Sequence, residues 1–220
     1  MSNLAPQQAL VKQIFNIKKI WRCIYLACIP ALLFYAISLI ALKNAGFEPR
    51  EILKEPAQIS GASSLIGFLS NIGTWLWVSS VAICFFGVSI SDRTAKNKHT
   101  ELLFLVGMLS LTLAVDDFFM IHDRYVDQKI CYSIYALWAG ALLLRHFKKI
   151  IEIDGFAFLL AGFLLAASIM TDLFQAYIPI HYAFTQVFEE GFKFVGGATW
   201  LYFSWRMAAF PFKGQGDKQA

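Results

Sequence analysis

The sequence predicts an all-α integral membrane protein, built as a six-transmembrane-helix bundle with both termini in the cytoplasm. Of its 220 residues, 58% are hydrophobic and only 15% are charged, and the mean hydropathy is +0.56. Soluble domains carry about 25% charged residues, so lipid is the expected solvent. The apolar runs approach the ~20 residues of a spanning helix and are too long for barrel strands. The predicted spans are residues 20–42, 64–90, 101–122, 130–147, 155–178 and 183–209.

The placement of lysine and arginine predicts the orientation of these helices. Basic residues concentrate before the first span, in the second and fourth loops and after the last span, whereas the other loops hold few. Cytoplasmic loops are enriched in such residues, so both termini should be cytoplasmic. We expect a multi-pass protein of the cell membrane, of the bacterial inner-membrane type. The net charge of +4 then reflects the topology of the helices. A nucleic-acid partner is not expected, because the sequence has no contiguous basic patch.

Three segments are expected along the chain. Residues 1–19 form a basic amphipathic segment that should lie in the membrane interface, attracted to anionic lipid. Residues 20–209 form the six-helix domain. Its first span exceeds a signal-peptide core, so we expect a retained helix, bent near Pro30. Residues 210–220 are expected to be a flexible cytoplasmic tail.

Acidic side chains inside the apolar spans are the main functional signal. Five carboxylates lie there: Asp116, Asp117, Asp172, Glu189 and Glu190. Lys193 is the one cation among them. Each ionisable group in a membrane costs several kcal/mol, so such residues usually have a function. Protons, metal cations or a water-filled cavity must compensate their charge.

The five acids are predicted to lie at one depth. The third and fifth helices should run outward and the sixth inward, so the rise of ~1.5 Å per residue places all five about 8–11 Å below the outer edge. We therefore expect one site, formed by three helices and open to the non-cytoplasmic face. Glu189 and Lys193 are four residues apart, a spacing that predicts a structural ion pair within one helix.

The chemistry of these side chains indicates a divalent metal ion. Oxygen ligands favour Mg, Ca or Mn, and an imidazole shifts the preference towards Fe or Zn, so the identity of the ion stays open. The predicted ligands are Asp116, Asp117, Asp172, Glu190 and His122. Asp117, Glu190 and His122 are the predicted catalytic residues, and whether His181 joins them is open. Without a metal, adjacent acids could instead hold and pass protons.

Two short strings resemble known motifs. The string EExxK at residues 189–193 and the string FxxxH at residues 118–122 resemble fragments of the motifs of CAAX-type and PrsW-type intramembrane proteases. The resemblance implies a glutamate that activates water and a histidine that assists it. Here the order of the strings is reversed, the further His-x-x-x-Asn/Asp motif is missing, and the three intramembrane aspartates have no counterpart. We assign no membership, but hydrolysis remains among the candidate reactions.

Three functions follow from these observations. The leading one is a membrane-embedded, metal-assisted enzyme that acts on a lipid or lipid-linked substrate, because the site lies within reach of headgroups. The alternative is a proton or cation pathway, since intramembrane acids commonly serve as relays. The third is a structural or accessory subunit whose acids form a satisfied polar network. Membrane lipid is the expected partner in all three.

Overall fold

The computed structural model describes residues 14–53, 65–91, 98–175 and 182–211, and these residues are almost entirely helical, with no strand among them. A π-helical segment, Ile24–Cys28, links the first two helices. The helices are α1 (Ile17–Cys23), α2 (Ile29–Asn44), α3 (Pro49–Leu53), α4 (Phe68–Ile90), α5 (Lys98–Phe119), α6 (Ile121–Arg124), α7 (Gln128–Leu173) and α8 (Tyr182–Ala208). Of the predicted terminal segments, residues 1–13 and 212–220 lie outside the described part.

Within the described ranges, four helices are long and apolar enough to cross a membrane. They are Ile17–Asn44, Phe68–Ile90, Lys98–Phe119 and Gln128–Leu173. This supports the prediction of a helical membrane protein, although the count differs from six. The predicted span 130–147 and most of the predicted span 155–178 fall within α7. Helix α8 is not among the four, since its sequence includes Glu189, Glu190 and Lys193.

The π-helical segment ends two residues before Pro30, where a bend was predicted. Proline has no backbone N–H to donate to the preceding turn. The N–H of Ile29 reaches back to the carbonyl of Ile24, five residues earlier, so one wide turn precedes the proline. The helix continues through this turn to Asn44.

Helix α7 folds back on itself. At ~1.5 Å per residue its 46 residues would extend about 70 Å, twice the thickness of a bilayer core. The backbone leaves helical geometry at His146 and Asp154, and the Tyr132 hydroxyl lies 3.1 Å from Asp172 Oδ2. In a straight helix these two residues would be about 60 Å apart. We call residues 128–145 the first arm and residues 155–173 the second arm.

Asp154 fixes the turn between the two arms. Its side chain is fully buried, and Oδ1 accepts a 3.2 Å hydrogen bond from the N–H of Ala157, as at a helix N-terminus. Its Oδ2 lies 3.6 Å from Nε of Arg206, near the end of α8. Lys19 donates to the carbonyl of Ile151 at 3.2 Å. Contacts from α1 and α8 therefore hold the turn at one end of the bundle.

Helix α8 packs against α4 and against α7. Buried side chains from several helices form the main core, with Phe203 and Leu102 fully enclosed. The approach of α8 to the second arm is close at Gly196, where an added Cβ would lie 3.0 Å from Leu165 Cγ. Small residues permit such contacts between membrane helices. This packing brings the acidic parts of α5, α7 and α8 to the bundle end opposite the α7 turn.

Candidate functional site

A cavity of about 440 Å³ lies between α4, α5, α8 and both arms of α7. It contains every acidic residue that the sequence singled out, together with the predicted histidine and lysine. These lining residues are Asp116, Asp117, His122, Asp172, Glu189, Glu190 and Lys193. Residues far apart in sequence thus contribute to one polar region. His181 lies outside the described residues.

Asp116 holds His122 through two hydrogen bonds. Its Oδ1 accepts from the backbone N–H of His122 at 2.9 Å, and its Oδ2 lies 2.8 Å from Nδ1 of the imidazole. The chain can turn back this way because Met120 adopts left-handed backbone angles, with φ of 53°, and ends α5. With Nδ1–H donating to the carboxylate, Nε2 carries the lone pair that can bind a cation.

The environment of His122 also affects its proton affinity. Burial lowers the pKa of His122, whereas the hydrogen bond to Asp116 and the charges of Asp116 and Asp123 raise it, and the net result is a raised pKa. A cation that binds Nε2 therefore competes with a proton at the same atom.

Asp117 is bound by donors from two other helices. Its Oδ1 lies 2.8 Å from Nζ of Lys193, and its Oδ2 accepts a 2.9 Å hydrogen bond from Nε1 of Trp77. Lys193 thus joins α8 to α5, instead of forming the intrahelical pair with Glu189 that their spacing predicted. That pair is not among the ion pairs of the described residues. The reason is that the aspartate across the helix interface offers the ammonium group a shorter contact.

Asp172 accepts a hydrogen bond from the first arm. The Tyr132 hydroxyl donates to Asp172 Oδ2 at 3.1 Å and accepts from Nε2 of Gln128 at 3.0 Å. This chain of hydrogen bonds joins the open ends of the two arms and places Asp172 on the cavity wall.

Three acceptors in the cavity lack a protein donor within the described residues. Gln186 Oε1 is buried without a partner, in a residue only 5% exposed. Glu189 and Glu190 are partly exposed, and neither takes part in a hydrogen bond or ion pair with a described residue. A buried acceptor without a donor costs about 1–3 kcal/mol. Gln186 Oε1 therefore needs a donor that the described residues do not supply.

Asp116, Asp117 and His122 could hold a metal ion. Each offers one ligand atom, and these atoms all lie within 4.8 Å of one another. Three of the five predicted ligands therefore form one group. The other two, Asp172 and Glu190, line the same cavity but are not members of this group.

The other half of the cavity is apolar, a feature that the sequence analysis did not predict. Its walls include Leu109 and Leu113 of α5, Phe158 and Leu165 of the second arm, and Trp200 of α8. Trp200 donates to Ser110 Oγ at 2.8 Å, which fixes the ring. Ten residues of α8 separate Glu190 from Trp200, about 15 Å along the helix. The cavity therefore has an acidic half and an apolar half.

Trp77, Tyr132 and Gln186 were also missed as site residues. In sequence, an aromatic residue in a membrane span has the pattern of an interfacial belt residue. What distinguishes them is the carboxylate that each donates to: Trp77 donates to Asp117 on another helix, and Tyr132 donates to Asp172 on the other arm of α7. Only the packing of the helices reveals this.

Residues 23–207 match the family model described as Domain of unknown function (DUF8692), and the chain belongs to this family. The matched range contains every cavity residue described above. No curated protein and no solved structure matches the chain.

Proposed function

We propose that this member of the family is a membrane-embedded enzyme that uses a divalent cation and acts on a lipid or lipid-linked substrate. The observation that carries the proposal is the group formed by Asp116, Asp117 and His122, with ligand atoms within 4.8 Å of one another. It lies in a cavity whose other half is apolar. A cation there would meet the polar part of a substrate whose hydrocarbon part lies among leucine and aromatic side chains.

The chemistry we propose is hydrolysis by a water that the cation activates. Nε2 of His122 and carboxylate oxygens of Asp116 and Asp117 would hold the ion, and Asp116 would also orient the imidazole. A bound divalent cation lowers the pKa of its water, so hydroxide is available for attack at neutral pH. Glu190, which has no donor among the described residues, would accept the proton of this water. Asp172 would complete the coordination or bind the substrate.

The proposal includes the predicted topology of the chain. The two arms of α7 and the 27 residues of α8, added to the three earlier membrane-length helices, would give six spans in the cell membrane. With both termini cytoplasmic, the acidic half of the cavity would face the outer leaflet.

The two other functions have less support. A proton or cation pathway needs polar groups that continue from the acids across the membrane. At depths between Lys193 and Trp200, however, the side chains that line the cavity are largely apolar. A purely structural network would satisfy its own members, whereas Gln186 Oε1 is buried without a donor in the described part of the chain.

Elemental analysis of protein purified in mild detergent tests the metal. We expect about one divalent ion per chain, and a loss of at least about tenfold in affinity for His122→Gln. Glu190→Gln should keep the ion but abolish metal-dependent turnover of a membrane lipid extract, followed by mass spectrometry. The control is Glu152→Gln, an exposed acid paired with Lys149 at 3.1 Å, which should change neither. Metal-free wild-type protein, or equal metal content in His122→Gln, would refute the proposal.

A further inference from the structure

The net charge of the cavity constrains what enters it. Six carboxylates line its wall, because Asp123 joins the five predicted acids, whereas Lys193 is the one lysine and no arginine is present among the lining residues. Lys193 is already paired with Asp117 at 2.8 Å. If all six were ionised, negative charges would outnumber positive ones even with a divalent cation bound. A phosphate or carboxylate headgroup would be repelled, since arginine and lysine normally bind such groups.

A separate feature of the acidic half indicates a hydrogen-bond donor. Gln186 Oε1 is buried on the cavity wall without a partner among the described residues, and the residue is only 5% exposed. An amide oxygen can only accept, so its missing partner must carry an N–H or O–H group. Glu189, three residues further along α8, and Asp172 of the second arm line the same cavity. Their carboxylates also accept.

The size of the cavity suits a ligand with one hydrocarbon chain. The whole cavity, with its acidic and apolar halves, has a volume of about 440 Å³, at the small end of the range of roughly 300–1,000 Å³ for ligand pockets. Eleven residues of α8 separate Glu189 from Trp200, about 16 Å along the axis. Gly162 leaves space in this wall, since an added Cβ would meet no atom within 4 Å.

We propose that Gln186, Glu189 and Asp172 form a subsite for the cationic, hydrogen-bond-donating head of a single-chain amphiphile, a long-chain amine or amino alcohol, whose chain occupies the apolar half. This inference rests on the proposed function, because it names the substrate class of the same cavity. The ammonium or hydroxyl group lies against α7 and α8, and the metal group lies on α5 and α6. In a substrate of this class, an ester of the amino alcohol would lie between the head and the cation, and water would cleave it into the free amino alcohol and a carboxylic acid.

Binding of radiolabelled dodecylamine to the full-length protein in phosphatidylcholine nanodiscs tests this subsite. We expect saturable binding of about one molecule per chain above empty nanodiscs. Dodecyl phosphate should compete at least about tenfold more weakly, because it carries the opposite charge. Spermidine, a cation without a hydrocarbon chain, should not compete. Equal competition by dodecyl phosphate, or full competition by spermidine, would overturn the inference.

Two variants test separately the contacts made by the head of the ligand and those made by its hydrocarbon chain. Gln186→Leu removes the acceptor, so dodecylamine should bind about tenfold more weakly. Gly162→Leu fills the apolar half without touching an acid and should weaken binding by at least as much. The matched control is Gly140→Leu, since Gly140 also has no atom within 4 Å of an added Cβ but does not line the cavity. Unchanged binding in both test variants would refute the subsite.

The metal content of the same samples keeps the two proposals distinct. Gly162→Leu should retain the ion of the wild type. Protein that holds the ion but does not bind dodecylamine would refute the subsite and leave the metal-dependent enzyme standing. Protein that binds dodecylamine but never holds an ion would refute the proposed enzyme mechanism instead.

Discussion

The Tyr132 hydroxyl donates a 3.1 Å hydrogen bond to Asp172 Oδ2, across forty residues of one continuous helical element. The contact is possible only because α7 turns back between His146 and Asp154. Because of this turn, the two arms of one helix form two walls of the cavity, and Asp172 lies opposite the first arm. The geometry of the acidic half thus depends on a turn at the far end of the bundle.

Removal of this hydrogen bond should weaken the α7 hairpin. In Tyr132→Phe, Asp172 loses its donor, and hydrogen bonds to charged groups contribute about 1.5–3 kcal/mol. We expect a loss of about 1–3 kcal/mol in the free energy of unfolding, measured by denaturant titration in mild detergent. The control is Tyr125→Phe, at a residue that is 75% exposed. If both variants unfold like the wild type, the contact does not stabilise the hairpin.

Double-mutant cycles distinguish the two candidate partners of Lys193. The 2.8 Å contact with Asp117 should give a coupling energy of about 1–3 kcal/mol between Lys193→Met and Asp117→Asn. The same cycle with Glu189→Gln should give less than about 0.5 kcal/mol, as for residues without a direct contact. Stability curves of the single and double variants supply both values. A larger coupling energy with Glu189 than with Asp117 would show that Lys193 pairs with Glu189 within α8.

Asp154 should be a structural residue without a role in metal binding. In Asp154→Ala the second arm loses its cap and Arg206 loses its neighbouring charge. Loss of one member of a buried ion pair costs about 3–5 kcal/mol. We expect a large drop in thermal stability, with unchanged metal content in the folded fraction. Asp154→Asn should fall in between, because asparagine can still cap the helix. Stability equal to the wild type would refute this role.

The sequence predicted the convergence of the acids but not their partners. The rise per residue of a helix is constant, so the depths of Asp117, Asp172 and Glu190 could be estimated without knowing the fold. Partners depend on the rotation of each helix about its axis, which apolar lipid-facing sequences hardly specify. For that reason the sequence predicted that Lys193 pairs with Glu189, its neighbour on the same helix. Asp154 was overlooked because it lies between two predicted spans.

Asp116 is expected to act on the metal both as a ligand and by supporting His122, whose imidazole it orients. Asp116→Asn exchanges one acceptor oxygen for an NH₂ donor and weakens the hold on the imidazole. Substitutions of such supporting carboxylates lower metal affinity by about 10–100-fold. Titration of the purified variant with Mn²⁺ or Zn²⁺, followed by calorimetry, gives this ratio. Glu152→Gln, at an exposed acid far from the cavity, serves as the reference. Equal affinities in the two variants would contradict the supporting role of Asp116.

A divalent cation is expected to bind where Asp116, Asp117 and His122 meet. Anomalous diffraction at the manganese absorption edge, from crystals of the wild-type protein soaked in Mn²⁺, would locate it. We expect one strong anomalous peak within bonding distance of Nε2 of His122, and no peak there in His122→Gln crystals. An empty site at saturating Mn²⁺, or a peak only at other residues, would contradict the claim.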